Sequence, residues 1–283
     1  MTFPDAAAIA DRRRRFRALH ERGCFIIPNP WDAGSARYLA SAGFQAVAST
    51  SSGFAWTRSA EDSALTLDET LAHLRDLVSA SHLPVNADFV DGFGATPDDV
   101  VASVARAIET GVAGLSIEDA YSAPAERGAH AEPLRPVAEA AARVAAARRA
   151  IDASGHDVVL VGRAENFIAG RPDIEDTIVR LKAYADAGAD CLYAPGIATP
   201  EHIAAVVAAV APKPVNLLVG GASQFSLAEI EKMGVRRVSV GGALARVAWG
   251  AVMRATSALA EGDFSALGDA ASGAALNEIM RGS

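Results

Sequence analysis

Lysine is scarce in this chain of 283 residues, with only Lys182, Lys213 and Lys232 present. Lys182 and Lys232 fall within helical patterns and Lys213 precedes a strand, so none offers the buried amine that a Schiff-base mechanism needs beside a substrate carbonyl. Cysteine is scarcer still. Cys24 and Cys191 cannot build a disulfide framework, and both open strand-like runs, which turns them away from the end of a strand where chemistry would sit. The six histidines, His20, His73, His82, His130, His156 and His202, show no HExxH or other paired spacing, which speaks against a zinc centre of nitrogen and sulfur ligands. Positive charge is in deficit: Lys+Arg 26 against Asp+Glu 34 gives −8, so nucleic acid is not an expected partner. Although 51% of residues are hydrophobic, no apolar run reaches the roughly 18 residues of a membrane span. Residues 1–10 carry neither the basic start nor the apolar stretch of a secretory signal. The expectation is a cytoplasmic protein with no membrane partner. The basic run Arg12 to Arg15, flanked by Asp5, Asp11 and Glu21, reads as the solvated face of a leading helix.

What is present is a repeated pattern. Strand-length apolar runs occur at Phe25 to Pro28, Ala46 to Thr50, Val85 to Phe89, Gly114 to Glu118, Val158 to Arg163, Leu192 to Pro195, Val215 to Val219 and Val238 to Gly241. Their starts lie about 21 to 44 residues apart, too far for hairpins and suited to parallel strands joined through helices. Between them stand helical patterns such as Val100, Val104, Ala105 and Ile108. Thr66 with Glu69, Thr96 with Asp99 and Ser226 with Glu229 fit capping boxes at helix starts, and Gly43, Gly111, Gly188 and Gly234 stand where helices can close. Eight such units predict an α/β fold, a (β/α)8 barrel with a leading helix, as a single domain over 1–283. The barrel spans about 24–260, with a C-terminal helical extension over 261–283. A doubly wound open sheet is the competitor, weakened because no GxGxxG follows the first strand.

In a barrel, chemistry sits at the C-terminal ends of the strands. Acidic and amide groups cluster there: Asp88 and Asp91 after the third strand, Glu118 and Asp119 after the fourth, Glu165 and Asn166 after the fifth. Oxygen ligands of this kind suit a hard cation such as Mg²⁺, which takes one or two carboxylates and leaves positions for substrate oxygens. Arg163 at the end of the fifth strand can grip an anionic group in a fork, or pair with Glu165 or Glu118. Ser51-Ser52-Gly53 offers hydroxyls and amides for a carboxylate or oxyanion. Gly220-Gly221 and Gly241-Gly242 end the last two strands, where many barrels hold phosphate, so a phosphosugar or flavin barrel is a rival reading beside plain tight turns.

Taken in order, Asn29-Pro30-Trp31-Asp32-Ala33-Gly34, Ser52-Gly53-Phe54, Asn86-Ala87-Asp88 with Gly92-Phe93-Gly94, Ser116-Ile117-Glu118-Asp119 and Arg163-Ala164-Glu165 resemble the isocitrate lyase and phosphoenolpyruvate mutase superfamily, from about Phe25 to Trp249. The resemblance implies a Mg²⁺-dependent enzyme, with Mn²⁺ as a substitute, acting on a small anionic oxo or hydroxy di- or tricarboxylate through a pyruvate-type enolate. It implies Asp88, Asp62 and Glu118 around the metal, with Ser52, Gly53, Phe54 and Asn216 on the substrate and Arg163 on its distal anionic group. It also implies a homotetramer, a dimer of dimers exchanging the last barrel helix, here Ala243 to Ala260.

The departures bear on the reaction. The acidic run begins with Asn86 where the superfamily has aspartate, and Phe89-Val90 lengthen the stretch before the glycines, with Asp91 added. The loop after Asp119 lacks both the cysteine-containing run of the isocitrate and methylisocitrate lyases and the lysine-rich run of the mutases. Decarboxylation of an oxaloacetate-type acid demands least of such a loop and is the expected carbon-carbon cleavage, with another retro-aldol cleavage as a variant. Glu118 and Arg163 carry it, and Arg127 or His130 act on loop closure. The alternatives are a phosphonomutase or phosphonopyruvate hydrolase acting on a carbon-phosphorus bond, and a non-catalytic dicarboxylate-binding barrel.

Overall fold

The computed structural model describes residues 2–62, 64–121, 130 and 132–281. Its strands are β1 (Phe25–Ile27), β2 (Val47–Ala48), β3 (Val85–Asp88), β4 (Gly114–Glu118), β5 (Val159–Arg163), β6 (Cys191–Tyr193), β7 (Val215–Leu218) and β8 (Arg237–Ser239). Each falls on one of the eight expected runs. All pair in parallel, in the order β1-β8-β7-β6-β5-β4-β3-β2. Between β1 and β2 the seam is drawn together by a backbone bond from Ala48 N–H to Pro28 O at 3.0 Å, and just above it Asn29 Nδ2 donates to Ser49 O at 2.9 Å. Pro28 has no N–H to give back, so the ladder goes no further there.

The helices are α1 (Ala6–Ala18), α2 (Ala33–Ser41), α3 (Ser51–Thr57), α4 (Leu67–Ala80), α5 (Pro97–Glu109), α6 (Val137–Ser154), α7 (Ile174–Asp186), α8 (Pro200–Val210), α9 (Leu227–Lys232), α10 (Ala243–Ala260) and α11 (Gly273–Arg281), with a 3-10 turn at Ser265–Asp269. The three expected capping boxes form at α4, α5 and α9, and a fourth, Asp32 with Ser35, starts α2. Gly43, Gly111, Gly188 and Gly234 all adopt positive φ at helix ends.

Side chains alternate along each strand, and this sorts the chain into two apolar layers. Leu115, Ile117, Leu160, Leu192, Leu217 and Val238 point outward and pack against the helices. Val159, Val161, Cys191, Phe25 and Ile27 point inward. Phe16 of α1 plugs the barrel from below, and Gly114 makes room for it: a Cβ there would meet Phe16 Cε1 and Asn86 Oδ1, each at 2.7 Å.

The basic run of α1 departs from its expected role. Arg13 is 3% exposed and donates to Val112 O at 3.0 Å and Ile108 O at 2.8 Å, while Arg12 donates to Val78 O at 2.7 Å. These carbonyls lie at or just beyond the C-terminal ends of α4 and α5, where unsatisfied acceptors and the helix dipole attract cations. Arg14 and Arg15 alone form the solvated face, paired with Asp11.

Helix α10 buries only Ala245, leaving Val247 67% and Met253 65% exposed, with Trp249 and Val252 also exposed. Helix α11 returns to α2, where Arg37 donates to Met280 O. Among the described residues no helix is long and apolar enough to cross a membrane.

Candidate active site

A cavity of about 570 Å³ lies over the C-terminal ends of the strands, lined among others by Ser52, Asp62, Asp88, Glu118, Arg163, Glu165, Tyr193, Asn216, Arg237 and Gly242. The same alternation that builds the core decides which strand-end groups reach it. Asn86 and Asp88, Ser116 and Glu118, and Arg163 with Glu165 share inward parity. The residues between them face the helices.

The inward carboxylates converge on Arg163. Its Nη1 stands 3.2 Å from Asp88 Oδ1 and 3.1 Å from Glu118 Oε2, and its Nε 2.5 Å from Glu165 Oε1. Burial alone would lower the guanidinium pKa, but Glu118, Glu165 and Asp88 raise it well above its ordinary value. Burial pushes the Glu165 carboxyl up, outweighing the pull of Arg163. Asp88 Oδ2 also accepts from Ser51 N–H at 2.9 Å. Tyr193 lies under the guanidinium, 5.2 Å from ring centre to Cζ, and burial pushes its phenol up to about 12.

Three groups of the sequence-level cluster face away. Asp91 is buried against Arg135 at 2.9 Å and Arg143 at 3.3 Å. Asp119 accepts from Tyr184 Oη at 2.6 Å, Arg180 Nη1 at 3.1 Å and Glu165 N–H at 2.8 Å. Asn166 donates to Asp176 at 2.7 Å. These tie strand ends to helices. For Asp91 the cause is the inserted Phe89-Val90: Val90 takes a φ of 40°, and the chain turns Asp91 outward.

Of the residues expected on the substrate, Ser52 lines the cavity, its hydroxyl 3.2 Å from Thr50 Oγ1. The Gly53 amide donates to Thr50 Oγ1 at 3.3 Å and the Phe54 amide to Thr50 O at 3.1 Å, so both are engaged inside α3, and the Phe54 ring stacks on His73. Asn216 lies on the floor, donating to Ser239 Oγ at 2.9 Å and accepting from Arg237 Nε at 2.8 Å. Asp62 stands exposed where the cavity opens. His130 is exposed and stacks on Tyr121, 3.8 Å between ring centres, beside the cavity rather than in its lining. Arg127 lies outside the described residues.

Sequence reasoning left out Tyr193 and Arg237, and gave Glu165 a place only in the strand-end oxygen cluster and as an ion-pair partner of Arg163. Parity was the available signal, because Arg237 stands two residues before the inward Ser239 and Glu165 two after Arg163. The glycine pairs do not form one phosphate cup: the Gly241 amide donates to Asn29 Oδ1 at 2.9 Å, and Gly220 lines a separate pocket with Gly221.

This arrangement can be set against known proteins. The sequence model for phosphoenolpyruvate phosphomutase matches residues 16–260, most of the chain. The chain belongs to the phosphoenolpyruvate mutase and isocitrate lyase superfamily. A crystal structure of a provisionally assigned lyase/mutase from Burkholderia cenocepacia J2315 is similar at 46% identity, covering 96% of each chain with a TM-score of 0.90. 2,3-Dimethylmalate lyase is similar at 26% identity, covering 98% of this chain and 95% of that one, with a TM-score of 0.82. An uncharacterized protein of Mycobacterium tuberculosis is 30% identical over 88% of this chain and 90% of its own length. Other relatives include oxaloacetate decarboxylases of Pseudomonas.

Superfamily members typically use Mg²⁺. Among the described residues no group of three or more His, Cys, Asp or Glu side chains is arranged to hold a metal by itself. The donor set nonetheless fits a hard ion that keeps waters and takes one or two carboxylates. Among the described residues Asp88, Glu118 and Glu165 meet one guanidinium, an oxygen-rich set whose charge a divalent cation can balance.

Proposed function

We propose that this enzyme cleaves a carbon-carbon bond next to the oxo group of a small dicarboxylate, decarboxylating an oxaloacetate-type acid through a pyruvate-type enolate. The observation that supports this reading is the convergence of Asp88, Glu118 and Glu165 on Arg163 inside the cavity over the strand ends.

Asp88 and Glu118, with Asp62 at the opening, would hold Mg²⁺ or Mn²⁺, which supplies electrophilic stabilisation of the enolate oxygen when bound. Arg163 fixes the three carboxylates and presents positive charge to the reacting carboxylate. The Ser52 hydroxyl orients the oxo-acid end. Loss of CO₂ leaves the bonding pair on carbon as the enolate, and a proton must return there. Glu165, whose buried carboxyl holds a proton more readily than an exposed one, stands at the right wall of the cavity to deliver it. His130, with its neighbour Tyr121, would act at the mouth on closure, a part also proposed for Arg127 outside the described residues.

The test is pyruvate release with Mg²⁺ from oxaloacetate, methylisocitrate, isocitrate and phosphonopyruvate, with Asp88→Ala as the blank. Turnover of oxaloacetate above the blank is expected. Turnover of phosphonopyruvate instead would place the reaction at a carbon-phosphorus bond, and silence across the panel would favour a binding protein.

A homotetramer that exchanges α10 is part of this reading, because the exposed Val247, Trp249, Val252 and Met253 need a partner surface. Light scattering should give a tetramer mass, reduced in Trp249→Glu.

A further inference from the structure

The cavity floor is built from inward residues of β3, β6, β7 and β8: Asn86, Tyr193, Asn216, Arg237 and Ser239. Arg237 is 3% exposed, so its charge is held almost wholly inside the barrel. Its Nε donates to Asn216 Oδ1 at 2.8 Å, and its Nη1 lies 3.4 Å from Asn86 Oδ1 and 3.5 Å from His20 Nε2. These are neutral partners: two amides, and an imidazole whose pKa burial drives down to about 3. Among the described residues no carboxylate pairs with Arg237, and its Nη2 has no hydrogen-bond partner. The guanidinium lines the cavity, so the unpartnered edge of its fork is left to whatever the cavity holds. Burial lowers its pKa, and the groups that pull it back are the Cys191 thiol and the Tyr193 phenol, neither of them acidic.

Every other strongly buried arginine here ends on carboxylates or helix carbonyls. Arg163 has three carboxylates, Arg143 has Asp91 and two carbonyls, and Arg13 has two carbonyls. A buried guanidinium lacking any such acceptor is unfavourable unless something else supplies one. The fork of five N–H donors matches a carboxylate better than any neutral group, and two of its three nitrogens are already fixed in direction by Asn216 and Asn86.

We propose that the cavity floor is an anion subsite in which Arg237, aligned by Asn216 and Asn86, takes one carboxylate of the substrate. It rests on the reading of this cavity as the substrate site, and it deepens that reading by setting polarity. The floor is positive and the wall carrying Asp88, Glu118 and Glu165 is negative. A dicarboxylate enters with one carboxylate down, keeping its reacting bond level with the wall. Monocarboxylates of the same size lose one of the two anchor points.

The test uses malonate as an unreactive dianion and the full chain in EDTA, with affinity read by calorimetry. Wild type is expected to bind malonate at least tenfold more tightly than Arg237→Gln, with Arg237→Lys between them and acetate weak in all three. The unliganded Arg237→Met protein is expected to unfold at a temperature no lower than wild type, since an unpaired buried charge is removed; a merely structural arginine would give a lower one. Equal malonate affinity in wild type and Arg237→Gln would overturn the subsite. Should the variants not fold, a crystal structure of wild type with malonate decides: a carboxylate on Arg237 supports the proposal, and malonate held elsewhere refutes it. Failure of oxaloacetate turnover with Arg237-dependent malonate binding would remove the reaction and leave the subsite. Turnover with no Arg237 dependence of malonate affinity or KM would do the reverse.

Discussion

The strand-end acids of this barrel face two ways, and their partners differ in number. On the outer side the two strand-end acids Asp91 and Asp119 meet three arginines, Arg135, Arg143 and Arg180, which also hold Glu139 and Asp176 of the helices. On the inner side Asp88, Glu118 and Glu165 meet one arginine among the described residues, Arg163. In the outer set every acid is paired with an arginine and helices are fastened to strands, as a buried ion network must be if it is not to destabilise the fold. The inner set has more acids than arginines among the described residues, and below it the floor holds Arg237, with which no described acid pairs. Imbalance at close range is what a site for charged ligands requires. Acids one position apart, such as Glu118 and Asp119, therefore serve chemistry or structure according to which side of the sheet they face.

The sharpest way to break this comparison is to remove one acid from each side. Asp88→Ala should lower kcat/KM for the true substrate about 10³-fold, a loss of the size seen when one transition-state-stabilising group is deleted, while the melting temperature stays near wild type. Asp119→Ala should do the opposite. It takes the buried acceptor from the Tyr184 hydroxyl and leaves Arg180 with Asp176 and the Arg135 carbonyl, costing about 3 kcal/mol in urea unfolding with kcat of the folded fraction preserved. If Asp119→Ala abolished turnover at full stability, the division between the two sides would be wrong.

Smaller effects sharpen it. Ser52→Ala should raise KM about tenfold, the worth of one hydrogen bond to a charged group, with little change in kcat. The smallest effect concerns buried histidines. Burial depresses His73 to about 4 and His20 to about 3, from 6.5. An unfolded chain takes up these protons first as pH falls. The stability due to the two neutral rings is therefore complete above about pH 6.5, and it is lost through pH 4 for His73 and pH 3 for His20. Each group contributes about 1.4 kcal/mol per pH unit within its window. In His73→Leu the acid slope of the unfolding free energy between pH 6 and 4 should fall by about one proton. A His20 resonance titrating near 6.5 by NMR would put a second cation on the floor and weaken the contrast between floor and wall.

Much of the architecture was legible because it rests on local chemistry. Capping boxes, closing glycines and eight apolar runs at crossover spacing each have a short-range cause, and they recur where expected. The site was legible in part. Asp88, Glu118 and Arg163 could be placed by position at strand ends, whereas Asp91 and Asp119 could not be told from them by type. Alternation would have separated Glu118 from Asp119, but Asp91 is turned by the positive φ of Val90 in a loop, where no period applies. The arginine run of α1 misled for a related reason: which acceptors Arg12 and Arg13 find depends on where the ends of α4 and α5 lie, 66 to 99 residues away in the chain.

By itself, then, the sequence determined the (β/α)8 architecture, the superfamily and the end of the barrel at which polar groups gather, since these follow from periodicity, turn chemistry and motif order. Only the tertiary structure decided how those charges are shared. Whether an acid is balanced is set by which arginines come within about 4 Å of it, and residues far apart in the chain meet only when the barrel closes. Arg163 gathers carboxylates from β3 and β4 and from just beyond its own strand, and Arg237, in a strand of the same barrel, gathers none among the described residues.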